Sequence, residues 1–312
     1  MTVDRLQRRA FVQSAVGLAA GMAIPGPQRA EAVNVTQPRP VPVPPIKLSC
    51  NLYSFNDALV RGEMELDEVL EFCSGLGFSA VDPTAYYLQG YPAVPDDQYL
   101  FGIKRRAFLL GLDISGTGVR NDFAAPEEER RKGDIELVKS WIEAAAKLGA
   151  PILRVFSGRE VPEGFERSEV LEWVVDGLQE CARYSADHGV VLVLQNHWDF
   201  VRTADETLEV LRLVGSDWLR LMVDIGSFRT GDPYVEVAQT APHAVTWQIK
   251  ENVFRAGREE KTDLDRVMSI VRDSGYRGYL PLETLGPGDP REKVPHFLAE
   301  VRAAMARNGI PG

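Results

Sequence analysis

Cysteine and histidine are scarce in this chain, and their scarcity removes whole classes of chemistry. The 312 residues hold three cysteines and four histidines. Cys50, Cys73 and Cys181 lie far apart, so no thiolate metal motif exists. In an oxidising compartment one pair could bridge, but Cys73 and Cys181 fall on apolar helix faces, where buried free thiols are expected. His188, His197, His243 and His296 are too few and too scattered to build a multi-zinc centre. Basic charge is short as well: 35 lysines and arginines face 45 acidic residues, a net charge of −10. Such a surface repels phosphate backbones and disfavours nucleic acid as a partner. No apolar run reaches the roughly 20 residues that a membrane span requires. No Gly-x-Gly-x-x-Gly follows the first expected strand, which argues against an open dinucleotide-binding sheet.

What is present begins with an unusual N-terminus. Arg8-Arg9 precedes a short Ala/Gly-rich apolar run from Ala15 to Pro25, and Ala30-Glu31-Ala32 offers small residues for cleavage. This is the pattern of an export signal over residues 1–32, and the paired arginines resemble a twin-arginine (Tat) signal. An amphipathic helix with incidental arginines is the plainer alternative. Export would place the mature protein in the periplasm or outside the cell, with no membrane attachment. Residues 33–45, rich in proline (Pro38, Pro40, Pro42, Pro44, Pro45), read as an extended linker. Loss of residues 1–32 removes four arginines and two acidic residues, so the mature balance falls to about −12.

From Ile46 onward, apolar strand runs alternate with amphipathic helical patterns. Strands are expected over 46–52, 80–82, 111–115, 151–156 and 190–195, and in three runs ending at Asp224, near Lys250 and at Glu283. Helices fall between them, over 65–76, 97–110, 127–148, 168–188, 204–214, 233–239 and 263–273, with a last one over 291–308. Gly77, Gly111, Gly149, Gly189 and Gly275 stand between a helix and the next strand, as helix-ending glycines do. Eight such units predict a single-domain (β/α)8 TIM barrel over residues 46–312.

The organising stretch is Val190-Val191-Leu192-Val193-Leu194-Gln195-Asn196-His197-Trp198-Asp199-Phe200. Five apolar residues, as in a strand buried on both faces, turn abruptly into amide, imidazole and carboxylate. The same grammar closes the next three strands, at Asp224, at Gln248-Ile249-Lys250 and at Glu283. The C-terminal strand ends of such a barrel share one mouth, where catalytic groups gather. Gln195, Asp224, Gln248 and Glu283 occupy equivalent points on successive strands. Lys250 shares strand parity with Gln248 and should face the same mouth. His197 shares parity with Gln195, Asn196 belongs to the opposite face, and Asp199 reads as a helix cap. Arg154 and Arg255 are candidates for binding hydroxyls, a carboxylate or a phosphate; inter-strand salt bridges are their alternative use.

These strand ends resemble the xylose isomerase-like barrels known as sugar-phosphate isomerases/epimerases, over roughly residues 46–308. The resemblance implies one divalent cation held by Gln195, Asp224, Gln248 and Glu283. Gln195 stands where the family usually has Glu, and Gln248 where it usually has His. Two carboxylates and two amides would favour Mn²⁺ or Mg²⁺, with Ca²⁺, Zn²⁺ or Co²⁺ compatible. Without a carboxylate at 195, the resemblance argues against symmetric two-base epimerisation by that pair. One-sided chemistry remains, with Glu283 as base and Lys250 polarising a carbonyl or protonating a leaving group. His197, Arg154, Asp82 and Arg255 are the expected substrate contacts, with Tyr53, Tyr86 and Trp247 as an apolar wall. Ser227 stands where the family often has a substrate-contacting His. The implied function is an exported, metal-assisted isomerase or lyase acting on a small carbohydrate or polyol, to which a homo-oligomer is no obstacle. A non-catalytic carbohydrate-binding barrel with a degenerate metal site is the alternative.

Overall fold

The computed structural model describes residues 46–311. The expected export signal (1–32) and linker (33–45) lie outside the described residues.

Nine parallel strands make one nearly closed sheet. In chain order they are β1 (Lys47–Asn51), β2 (Ala80–Asp82), β3 (Asp113–Ile114), β4 (Thr117–Gly118), β5 (Ile152–Val155), β6 (Val191–Gln195), β7 (Leu219–Asp224), β8 (Ala244–Lys250) and, after a two-stranded insertion, β11 (Tyr279–Glu283). The sheet runs β3-β2-β1-β11-β8-β7-β6-β5-β4. Its two ends, β3 and β4, belong to the same βα unit and are separated only by Ser115-Gly116. The third staves of the barrel are thus one strand broken in two, its first half pairing with β2 and its second with β5. A Cβ at Gly116 would stand 2.7 Å from Ile152 Cγ1, so the break sits where the backbone crowds the neighbouring strand. Eight positions result, the expected (β/α)8 barrel.

The helices follow their sequence signals closely. They are α1 (Asn56–Val60), α2 (Leu66–Gly75), α3 (Asp97–Leu109), α4 (Glu128–Leu148), α5 (Arg167–His188), α6 (Ala204–Val214), α7 (Pro233–Thr240), α8 (Leu264–Asp273) and α9 (Pro290–Arg307). Asp96, Thr203, Asp232, Asp263 and Asp289 each accept a first-turn backbone N–H, which satisfies one orphan donor per helix. Gly149 and Gly189 end α4 and α5 at φ 78° and 66°, a conformation that costs glycine least. None of the described helices is long and apolar enough to cross a membrane.

Two apolar layers of unequal size result. The large one lies between sheet and helices and takes the outward residues of each strand, such as Leu192, Leu194, Leu221 and Val223. The inward residues form only a small cluster, Ile152, Val193 and Met222, with Val191 and Val245 against it. Elsewhere the interior is polar: Ser49 and Ser115 hydroxyls meet at 2.6 Å, and Asn51 Nδ2 donates to Asp82 at 3.3 Å.

Two elements were not expected, the short helix α1 and a hairpin. After β8 the chain forms a hairpin, β9 (Asn252–Arg255) and β10 (Arg258–Lys261). Its two turn residues, Ala256 and Gly257, have φ of 47° and 76°, as tight two-residue hairpin turns require.

Candidate functional site at the barrel mouth

Register alone assembles the floor of the site. Asp224 on β7 lies beside Gln248 on β8, and Lys250 on β8 beside Glu283 on β11. Side chains alternate along a strand, so Gln248 and Lys250 face the same way. Above them opens a cavity of about 630 Å³, lined by Gln195, Gln248, Lys250 and Glu283 at its base. All four sequence-selected metal positions therefore converge, although Asp224 itself is fully buried beneath the others.

Lys250 dominates the geometry. Its Nζ lies 2.8 Å from Asp224 Oδ2 and 3.1 Å from Glu283 Oε2, with the side chain only 12% exposed. Burial alone would push the ammonium to lose its proton, but the charges of Asp224 and Glu283 outweigh it and raise the pKa well above the ordinary lysine range. Burial would likewise favour protonated Asp224, yet the Lys250 charge overrides it and holds this carboxyl below its usual value. Asp224 Oδ2 also accepts from Gln195 Nε2 and Ser227 Oγ, each at 2.8 Å. Its Oδ1 accepts the Gly226 N–H at 3.0 Å. Glu283 Oε2 differs: it is buried and, beyond the ion pair with Lys250, has no well-directed hydrogen bond.

These residues do not fit a divalent ion. The place between the two carboxylates is filled by an ammonium, whose positive charge opposes a second cation there. Gln195 turns its N–H₂ end toward Asp224 and so does not offer that carboxylate a shared ion through its oxygen. The expected four-ligand set is thus replaced by a lysine-centred ion-pair network.

The walls hold a second pair. His197 Nδ1 lies 2.7 Å from Asp199 Oδ2, with the imidazole 4.7 Å from the Phe156 ring. Asp199 thus orients His197 rather than capping α6, which Thr203 caps. Asn196 lies on the opposite face, as expected, exchanging hydrogen bonds with the Asp224 backbone at 2.8 and 2.9 Å.

The upper wall is rich in arginine. Arg120, Arg154, Arg159, Arg202 and Arg229 line the cavity against only Glu160, Asp199 and Glu283 as acidic lining. Aromatic faces support four of the five: Arg120 over Tyr86 at 4.7 Å, Arg154 over Phe156 at 4.2 Å, Arg202 over Trp198 at 5.4 Å and Arg229 over Phe254 at 4.2 Å. None of these four has a carboxylate partner among the described residues, whereas Arg159 lies 3.8 Å from Asp122. Arg229 Nε is buried without a partner. Arg154 also donates to Tyr86 Oη at 2.8 Å and to the Val119 carbonyl. Its guanidinium occupies the space that a Cβ on Gly118 would need.

Three expected contacts lie elsewhere. Arg255 sits on the hairpin, bound to Asp232 at 2.7 Å and Glu260 at 3.0 Å, and does not line the cavity. It is an ion-pair residue that fastens the hairpin to the start of α7. Asp82 is buried below the floor, where burial, and secondarily the Glu283 charge, outweigh Arg154 and raise its pKa to about 6. Trp247 points outward, fully buried against Tyr276 at 5.9 Å, while Tyr53 and Tyr86 do line the cavity. Arg120, Arg202, Arg229 and Trp198 escaped the sequence reading, because loops carry no periodicity to place them. Their crowding after strands three, five and six was the available signal.

Comparison with known proteins agrees with this architecture. The chain is 27% identical over 187 residues to the C-glycoside deglycosidase alpha subunit of Microbacterium trichothecenolyticum, a match over 58% of this chain and 47% of that protein. It thus spans about half the length of this curated relative. The D-psicose 3-epimerase of Clostridium cellulolyticum H10, solved with D-tagatose, superposes with a TM-score of 0.68 at 15% identity, over 84% of this chain and 98% of that one. The 3-keto-D-glucoside 4-epimerase of E. coli gives 0.68 at 14% identity, over 83% and 99%. At such identities these structures speak for the fold. The sequence model of the xylose isomerase-like TIM barrel matches residues 70–304, and the chain belongs to that family.

Proposed function

We propose that this protein is a carbohydrate isomerase or lyase that acts on a small sugar bearing an anionic group, such as a sugar acid or an oxidised sugar. The observation that carries this reading is one cavity with a lysine–carboxylate floor, a histidine–aspartate pair and an arginine wall. Four arginines held on aromatic faces, without carboxylate partners, form a ready site for a carboxylate. The deglycosidase name of the curated relative and the ketose and keto-glycoside substrates named for the structural neighbours support a carbohydrate.

The chemistry is one-sided. Glu283, whose carboxylate lines the cavity, takes the proton from the carbon next to a substrate carbonyl. The electron pair moves onto the carbonyl oxygen, where the Lys250 ammonium stabilises the enolate. Its raised pKa makes Lys250 a poor proton donor but a durable positive charge, so polarising a carbonyl suits it better than protonating a leaving group. His197, oriented by Asp199, supplies the second proton. Delivered to the former carbonyl carbon, while the α-hydroxyl passes its proton to the enolate oxygen and becomes the new carbonyl, that proton completes an isomerisation. Delivered to a β-oxygen as its C–O bond breaks, it completes an elimination. Export through residues 1–32 belongs to the same reading; cell fractionation of full-length protein and of an Arg8→Lys/Arg9→Lys variant tests it.

The deciding experiment is proton exchange in D₂O followed by ¹H NMR with uronates, aldonates and 3-keto sugars. Deuterium entering one carbon-bound position, abolished in Glu283→Gln, is the expected result. Tight binding with no exchange on any such sugar would favour a carbohydrate-binding barrel, to which the charge-neutralised floor also lends itself.

A further inference from the structure

We infer that the Lys250 ammonium is the resident cation of this site, standing where a divalent ion would otherwise bridge Asp224 and Glu283, and that the folded protein takes up no divalent metal there. Four linked observations converge on it. The ammonium touches both carboxylates, at 2.8 and 3.1 Å, from a side chain withdrawn almost wholly from water. Asp224 Oδ2, the oxygen facing Lys250, already accepts three donors, and Oδ1 accepts a backbone N–H. Oδ2 so engaged has no free lone pair to offer a metal, which leaves one on Oδ1. Gln195 directs its donor end inward, which suits a carboxylate beside an ammonium and not a cation with open coordination sites.

The fourth observation is the space made for the lysine. A Cβ on Gly226 would come within 2.8 Å of Lys250 Cδ and 3.1 Å of the Asn252 carbonyl oxygen. The residue two positions beyond Asp224 thus leaves the passage through which the lysine stem reaches both acids. Cation, anions, donors and passage form one built unit. Its charge is one rather than two, and it is tethered to the chain.

The test is metal uptake, measured on mature protein by mass spectrometry and by titration calorimetry with Mn²⁺ and Mg²⁺, for wild type and Lys250→Gln together. Wild type is expected to hold far less than one equivalent and to give no heat with Mn²⁺. Lys250→Gln, which leaves two buried carboxylates facing each other without a counter-charge, is expected to gain Mn²⁺ binding and a Mn²⁺-dependent rise in Tm. One equivalent of Mn²⁺ on wild type, lost in Asp224→Asn, would overturn the assignment. So would a folded Lys250→Gln that takes up no more Mn²⁺ than wild type. Should that variant fail to fold, the ¹⁵N-lysine ammonium signal of wild type decides. It should stay sharp with paramagnetic Mn²⁺ present, and broadening would sink the idea. The two readings fail separately: metal uptake is read without any sugar and exchange without added metal, and absence of exchange leaves the lysine-filled site standing.

Discussion

Gly226 and Lys250 are fitted to each other: a Cβ on the glycine would stand 2.8 Å from the lysine Cδ. The contact is with the lysine stem, two bonds from the ammonium nitrogen, so an added methyl group pushes the whole side chain off the two carboxylates. Gly226→Ala is therefore expected to cost about 1–3 kcal/mol from overpacking and to lower turnover by more than that loss of stability explains. Urea unfolding and the proton-exchange assay, run on the same sample, check both parts. Unchanged turnover would show that Lys250 can act from another position.

Asp82 sets a pH dependence of stability that opposes the usual acid behaviour. Burial raises its pKa to about 6, so the folded protein keeps a proton on it that the unfolded chain has already released. Stability from this group is fully present below the ordinary carboxylate pKa and falls as pH rises through about 6, by roughly 3 kcal/mol. Asp82→Asn should flatten that part of the curve and stabilise the protein at pH 8 more than at pH 4. Unfolding midpoints of both proteins from pH 4 to pH 8 make the comparison.

His197 and Asp199 should behave as a unit. His197→Gln is expected to lower kcat/KM by roughly 10²–10⁴-fold, the usual range for a lost acid–base group. Asp199→Asn keeps the imidazole but loses the charged acceptor that fixes its orientation, so its effect should be smaller, in the same direction, and not additive with the first. A double variant as slow as the product of the two single losses would count against the pair.

Arg229 should read substrate charge. Its buried, unpartnered Nε and its place over Phe254 make it a ready donor to a carboxylate. Arg229→Gln should raise KM for an anionic sugar about 10- to 100-fold, the worth of a charge-assisted hydrogen bond, with little change for its neutral counterpart. Equal losses on both would assign Arg229 to packing.

The barrel itself was legible because its signals are local. Eight apolar runs and the glycines after α4 and α5 each report on a few neighbouring residues, and together they allow one architecture. Strand parity placed Gln195, Gln248, Lys250 and Glu283 on one floor. What parity could not show is distance across the floor. Whether Lys250 leans outward to solvent or inward to Asp224 depends on the space beside Gly226, a residue from a different strand end. The same limit hid the hairpin. Asn252–Lys261 alternates charged and apolar residues only weakly, and Arg255 looked like a mouth residue until its partners Asp232 and Glu260 were in view.

The two apolar layers divide labour within the molecule. Nearly all the large buried side chains, such as Trp141, Phe123 and Phe297, lie outside the sheet, while the lumen holds little apolar packing beyond Ile152, Val193 and Met222. Residues that end a strand inside the lumen can thus be exchanged without touching the outer layer that holds most of the apolar packing. A glutamine can stand at 195 or 248, and a lysine can reach between two acids, with that layer unchanged. The price of new chemistry in this architecture is set at its mouth, and the freedom to change it comes from a hydrophobic mantle that the substrate never touches.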